Sequence, residues 1–204
     1  MGGPPVVTRP LERIEEFRSA EELQRRVWGF IDVEVVPLHT LLAASKNGGL
    51  ALGAFLRDDA AAEELVGLGF GFAGRDALGP KLHSHIVGVA PNVRNRGVGA
   101  ALKWHQRLAV RAEGVPRVTW TYDPLMAGNA RFNLDRLGAV AERYEVNVYG
   151  EIRDELNRGL PTDRLVVDWW LDDPGVVARA EGRPPAVPED ATTLPEATRS
   201  RRAK

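Results

Sequence analysis

LHSHIVGVAPNVRNRGVGAALKWHQRLA, residues 82–109, is the stretch that decides the fold. It opens as an apolar run carrying two of the chain's four histidines one residue apart, which reads as a strand, LHSHIVGV. Pro91 breaks that run. Arg94-Asn95-Arg96-Gly97-Val98-Gly99 then forms a turn, and Gly97 to Ala112 reads as a helix with Val98, Leu102, His105, Leu108 and Ala112 near one face. Glycines let backbone approach a ligand, a helix N-terminus offers unpaired amides at a positive dipole end, and two arginines add charge. The turn is therefore an anion site sized for phosphate or pyrophosphate. A plain Gly-rich strand-to-helix turn with solvated arginines is the other reading of the same spacing.

Working outward, VVTRPLER reads as a first strand. SAEELQRRVWGF reads as a helix, with Ser19 as N-cap and Glu22 at capping-box spacing. PLHTLLAASKNGG is a second helix, with Pro37 in its first turn and Gly48 beyond its end. GLALGAFL and LVGLGFGFAG form a hairpin across the charged turn RDDAAAEE. After the opening stretch come a strand RVTWTY, a short helix AGNARFNLDRLG, and two strands in VAERYEVNVYG and DRLVVDWWL. Early hairpins and a later strand–helix–strand crossover predict an α/β (α+β) fold. Its sheet is mixed and mostly antiparallel, of about seven strands, with strands 4 and 5 parallel through a right-handed crossover. Residues 1–171 read as one domain. Residues 172–204 form a Pro/Ala/charge-rich tail without periodicity, a composition that in isolation reads as disordered.

Composition narrows the function. Of 204 residues 44% are hydrophobic and 27% charged, with formal net charge −1, so an ordinary globular core is expected and an electrostatic nucleic-acid binder is not. The absence of cysteine removes disulfides, thiolate metal sites and a cysteine acyl-enzyme. No apolar leader and no stretch of membrane-spanning length is visible, which makes a cytoplasmic protein the expectation.

The histidines admit several readings. Residues i and i+2 of a strand share a face, so His83 and His85 lie together. Strand histidines often simply pack in a core. A same-face pair can also chelate a metal, but no third ligand is evident nearby, and no metal is expected. Aliphatic amines are mostly protonated near neutral pH, and a histidine base would suit an acyl transfer to such an amine.

R-x-x-G-x-G after an apolar strand and opening an amphipathic helix resembles the signature of the GNAT superfamily of N-acetyltransferases. The order of elements from about residue 6 to 171 is similar to that fold as well. The combination of VWGF, VVPLH, LHSH, TWTYDPL, NARFNLDRLGA and LPTDRL resembles a bacterial branch of it. The resemblance implies a bulged strand 4 splayed from strand 5, with coenzyme A in the gap. Arg94, Asn95, Arg96, Gly97, Val98 and Gly99 would hold the pyrophosphate. Backbone groups of Val87 and Val89 would pair with pantetheine, the Val87 amide would serve as oxyanion donor, and Asn129 would contact the pantetheine arm. His83 stands eleven residues before Arg94, where many members carry a catalytic glutamate. His-x-His there is similar to aralkylamine N-acetyltransferases, which implies His83 as base with His85 assisting.

The implied activity is acyl transfer from acetyl- or succinyl-coenzyme A to a small primary amine or amino acid, directly in a ternary complex. The alternative is a silent acyl-CoA-binding sensor or assembly module. Neither nucleic acid nor membrane is an expected partner, and a homodimer is an open option. One departure is visible. The helix slot where the family carries a general-acid tyrosine holds Leu134, leaving Tyr144 and Tyr149 as substitutes. Candidate acceptor-site residues are Trp28, His39, Trp120, Tyr149 and Arg164, each also readable as packing or, for Arg164, as an ion pair with Asp163 or Asp168. Gly69-Phe70-Gly71-Phe72-Ala73-Gly74 matches a dinucleotide fingerprint but lies within a strand with no helix after it, so its glycines read as packing positions.

Overall fold

The apolar run at 82–89 forms the core of β4 (Gly79–Val89), the central strand of a seven-stranded sheet. The computed structural model describes residues 5–29, 31–57, 63–150 and 162–183. The other strands are β1 (Val6–Pro10), β2 (Leu50–Arg57), β3 (Glu63–Asp76), β5 (Arg117–Tyr122), β6 (Val140–Glu145) and β7 (Arg164–Trp170). Their spatial order is β1-β2-β3-β4-β5-β7-β6, antiparallel throughout except for the parallel pair β4 and β5. The expected mixed, mostly antiparallel sheet is thus present.

Two irregularities shape everything near the site. The register of β3 against β4 slips between Phe70 and Gly71, leaving His85 as the unpaired extra residue of a bulge. Beyond it, β4 and β5 share two residue pairs, Leu82–Val118 and His83–Thr119, and then part. Gly71 is what lets the bulge form, since a Cβ there would lie 2.7 Å from the His83 carbonyl oxygen.

Helices α1 (Ile14–Trp28) and α2 (Leu38–Ser45) cover one face of the N-terminal half of the sheet, and α3 (Val98–Ala112) crosses the other. The glycine contacts distinguish the faces. A Cβ on Gly67 would meet Val98 and Leu102 of α3, whereas one on Gly88 would strike the Trp28 ring of α1 at 2.4 Å. A short helix α4 (Ala127–Ala130) runs on as a wide π-helical turn over Arg131–Arg136. One core joins α1, α2, α3 and β2–β4; a second joins Leu82, Val118, Trp120, Val167 and Trp169.

Three local expectations are corrected. Ser19 does not cap α1; the helix begins five residues earlier, and the Ser19 hydroxyl donates to the Glu15 carbonyl. Glu16 caps it instead. Its carboxylate accepts from the Glu12 and Arg13 amides and pairs with Arg9 at 2.8 Å, contacts that hold it down to a pKa of about 2. The buried face of α3 is rotated by roughly a third of a turn from the expected one. Leu108 is 62% exposed, while Lys103, Gln106 and Arg107 are buried with Val98, Leu102 and Val110. Finally, residues 174–180, expected in the aperiodic tail, form α5 (Pro174–Ala180), capped by Asp173 and buried at Val176 in the second core. The rest of that tail, 184–204, lies outside the described residues. No helix among them is long and apolar enough to cross a membrane.

A buried cation secures β5 beside the gap. Arg117 is 1% exposed and reaches Asp168 on β7 at 2.7 Å and Asp76 at the end of β3 at 2.5 Å, with Lys81 on Asp76 at 2.9 Å. Together these cations hold the Asp76 carboxyl far below the usual range. Arg117→Met removes the buried cation that the two carboxylates share, leaving Asp76 with Lys81 and Asp168 with the more distant Arg143. It should cost about 3 kcal/mol or more in a urea titration, by the loss seen when half of a buried pair is removed. A cost below about 1 kcal/mol would show that Arg117 does not hold the strands.

Candidate active site

The parting of β4 and β5 opens a cavity of about 430 Å³, within the range of small-molecule sites. Ser84, His85, Val87 and Val89 line it from β4, and Trp120, Thr121 and Tyr122 from β5. The turn, the first residues of α3 and the π-helical segment close its outer end.

The bulge sets which groups face where. His83 pairs with Phe72 and Ile86 with Phe70, so the extra residue shifts the alternation by one and keeps His83, His85 and Ile86 on one face. The Val87 and Val89 side chains turn to the α3 face. Their peptide groups turn toward the gap: the Ala90 amide donates to Val66 on β3, and strand alternation points Val89 and Val87 the opposite way.

At the outer end, Asn95 (φ 62°) and Gly97 (φ 83°) take left-handed conformations that aim the chain into α3. Gly97, Val98 and Gly99 all line the cavity, so the helix N-terminus opens onto it. Arg94 also lines it, yet its guanidinium donates to the Val89 and Val27 carbonyls at 3.2 and 3.3 Å, clamping β4 to the end of α1. Arg96 is exposed on the turn and does not line the cavity. Asn129 does, as does Arg136, a cation near Gly97 that the sequence reading did not pick out.

The histidines form a cluster with phenylalanines. Ring centroids are 5.1 Å apart for His83–Phe72, 5.8 Å for His85–Phe72 and 6.4 Å for His83–His85. Burial, then the neighbouring His85, Lys81 and Lys103, push the His83 pKa down to about 4. Its Nδ1 lies 3.4 Å from the Thr119 hydroxyl, and it does not line the cavity. His85 lines it and keeps contact with solvent, while the surrounding rings desolvate it enough to lower its pKa as well. Among the described residues no third ligating side chain joins the pair in a metal-binding cluster.

The fold has counterparts among solved structures. The ribosomal-protein-S18-alanine N-acetyltransferase from Escherichia coli superposes with TM-score 0.63 at 15% identity, covering 84% of this chain and 97% of the other. Arabidopsis thaliana NAA60 in complex with acetyl-CoA gives TM-score 0.64 at 15% identity, over 81% and 99%. An acetyltransferase of the GNAT family from Streptococcus pneumoniae gives 0.61 at 16% identity, over 80% and 98%. The fold is that of the GNAT acetyltransferases. No family model matches the sequence, and no curated protein matches it either.

Within the GNAT fold, the acceptor candidates scatter. Trp120 is 8% exposed and lines the gap; the Tyr149 hydroxyl lies 3.3 Å from that of Thr121, at its edge. Arg164 stacks over the Tyr149 ring at 5.3 Å and donates to the Asp163 carbonyl. Trp28 packs behind β4 at Gly88, and His39 is exposed on α2; neither lines the cavity. Leu134 is 38% exposed and does not line it. The wide turn, closed by the Leu137 amide on the Phe132 carbonyl, presents Asn133 there instead.

Asn133, Tyr122 and Lys103 were missed as well as Arg136. Tyr122 ends β5, is 6% exposed and lines the cavity, and its hydroxyl has no hydrogen-bond partner among the described residues; burial raises its pKa. Lys103 lies at the cavity's inner wall, 2% exposed, with Nζ 2.8 Å from Gln106 Oε1, 3.2 Å from Ser84 Oγ and 3.6 Å from the Trp120 ring centre. A tyrosine in a strand and a lysine in a helix carry no signal of burial by themselves.

The depressed His83 pKa is a stability statement. Between the ordinary histidine value of about 6.5 and the folded value of about 4, the unfolded chain binds a proton that the folded chain refuses. Stability should therefore fall as pH drops through that window, by about 1–2 kcal/mol once partial solvent access is allowed for. His83→Gln should flatten the decline in thermal melts between pH 7 and 4.5. Parallel curves for the two proteins would refute a buried neutral His83.

Proposed function

We propose that the protein is an N-acyltransferase that takes an acyl group from acyl-coenzyme A and passes it directly to a small primary amine or amino acid. The observation that carries this reading is the gap itself. A parted parallel strand pair with a helix N-terminus and Gly-rich turn at its mouth suits a pyrophosphate outside and a thioester inside. The NAA60 structure similar to this chain holds acetyl-CoA, which supports the donor.

The helix N-terminus with Asn95, Gly97, Val98 and Gly99 takes the pyrophosphate, and Arg136 supplies a cation beside it; Arg94 and Arg96 steady the turn. Pantetheine runs along the Val87 and Val89 peptide groups, with Asn129 at its side. The acceptor arrives from the face opposite α3, where His83, His85, Thr119 and Thr121 stand; Tyr149 and Arg164 border that approach.

The amine nitrogen attacks the thioester carbonyl carbon. The C–N bond forms, the C–S bond breaks, and the Val87 amide stabilises the developing oxyanion. The amine proton passes to His85, with His83 packed behind it. Neutral rings at physiological pH keep both able to accept a proton. The departing thiolate takes a proton from Tyr122, the unpaired hydroxyl on the gap, in place of a tyrosine at Leu134; solvent resets the two groups.

Release of free thiol from acetyl- and succinyl-coenzyme A, against pooled amines and amino acids, tests the activity. Failure of coenzyme A to bind by calorimetry would overturn it. Tight binding with no turnover on any amine would favour the sensor module instead. His85→Ala should lower kcat by about 100-fold or more while leaving the dissociation constant for coenzyme A within a few-fold, as loss of a transition-state contact does. An equal loss in both would make His85 a binding residue. Arg136→Ala should weaken coenzyme A about ten-fold, an effect that shrinks with added salt; an unaltered affinity would remove it from the phosphate site.

A further inference from the structure

Lys103 is a buried amine with no carboxylate partner among the described residues, and burial alone pulls its pKa down. An ammonium has three N–H donors, and here the Ser84 hydroxyl, the Gln106 amide oxygen and the Trp120 ring face occupy three directions. All three partners are neutral. Elsewhere the same fold buries Arg117 between two aspartates, so a cation at 1% exposure is compensated where it is structural. A buried charge lacking such a partner costs several kcal/mol, and a methionine would fill the same space with none of that cost.

The position says which ligand group could supply the anion. Lys103 stands six residues into α3 from Gly97, about 9 Å along the helix axis, and lines the inner wall of the cavity whose mouth is that helix's N-terminus. Ser84 and Trp120, its partners, belong to the two strands that part there, and both turn to the α3 face. The histidines and the acceptor's approach are on the opposite face. A group reaching Lys103 therefore comes with the donor, beyond its thioester. Tyr122, whose hydroxyl on this cavity has no hydrogen-bond partner among the described residues, is already assigned to the leaving thiolate.

Resting on the coenzyme A reading above, we propose that Lys103 and Ser84 form a subsite for a carboxylate at the far end of the donor's acyl group. The preferred donor is then the coenzyme A thioester of a short dicarboxylic acid rather than of acetate. The carboxylate replaces a neutral acceptor beside Nζ and gives the buried ammonium its counter-charge; an acetyl methyl group can do neither.

Calorimetry with coenzyme A, acetyl-coenzyme A and succinyl-coenzyme A on the full chain tests this without requiring turnover. The wild type should bind succinyl-coenzyme A at least about ten-fold more tightly than acetyl-coenzyme A. Lys103→Met should abolish that ratio, and should hold or raise Tm because it removes a buried amine with no carboxylate partner. Ser84→Ala should reduce the ratio partially and carries the test should Lys103→Met fail to fold. Equal wild-type affinities for the two thioesters, or a ratio untouched by both variants, would overturn the carboxylate subsite while leaving the acyltransfer reading intact. Failure of coenzyme A itself to bind would overturn that reading and the subsite together.

Discussion

Everything at the site depends on β4 and β5 ceasing to pair after His83–Thr119. Buried peptide groups must find partners, and a parted ladder leaves the inner edge of β4 without a neighbouring strand. The Ala90–Val66 hydrogen bond shows that β4 stays attached to β3 through this region, so its Val87 and Val89 peptides look across the gap. A ligand with amide groups of its own is the natural occupant, because it can continue the interrupted ladder.

The parting is stable because its surroundings are rigid. Arg117 ties β5 to β7 and to the β3–β4 hairpin through its two aspartates, below the point of divergence. Arg94 ties the far end of β4 to α1 through two carbonyls, above it. The bulge at His85 lies between these anchors, and Gly71 gives it room. Two clamps and a bulge thus bend one strand away from another without opening either hydrophobic core. That arrangement also separates the faces: the histidines go to one side, and α3, with the Gly-rich turn at its head, to the other.

Much of this was legible in the sequence, for identifiable reasons. Element order and the parallel crossover follow from periodicity and from punctuation by Pro91, Gly114 and Pro116, signals that are local. The strand-to-helix turn was legible because Pro91 and the glycines at 97 and 99 interrupt the apolar periodicity there. The start of α1 was misread because Ser19 has capping-box spacing, while the real cap is a carboxylate, Glu16, held by a cation from β1. For Arg94 the sequence shows only part of what the side chain does: it lines the cavity and also donates to two backbone carbonyls. A guanidinium at such a turn looks like a phosphate ligand, and only the fold shows that two backbone carbonyls already hold it. Tyr122 and Asn133 were invisible because one depends on where β5 ends and the other on a π-helical turn that rotates Leu134 outward.

Lys103 is the most instructive miss. The apolar face expected from Val98, Leu102, His105, Leu108 and Ala112 does not include Lys103, and a lysine off that face of an amphipathic helix is ordinarily solvated. The glycines of β3 draw α3 close enough that its buried arc widens and turns, carrying Lys103, Gln106 and Arg107 inward together. Arg107 meets the Leu171 carbonyl with two donors, a partial compensation that a helix-to-strand contact can supply. Lys103 meets only a hydroxyl, an amide and a π face. The three buried basic residues of this half of the molecule therefore form a series. Arg117 has full counter-charge, Arg107 has a carbonyl, and Lys103 has neither. Of the three, Lys103 alone lines the cavity, so its missing counter-charge falls where a bound acyl group could provide one.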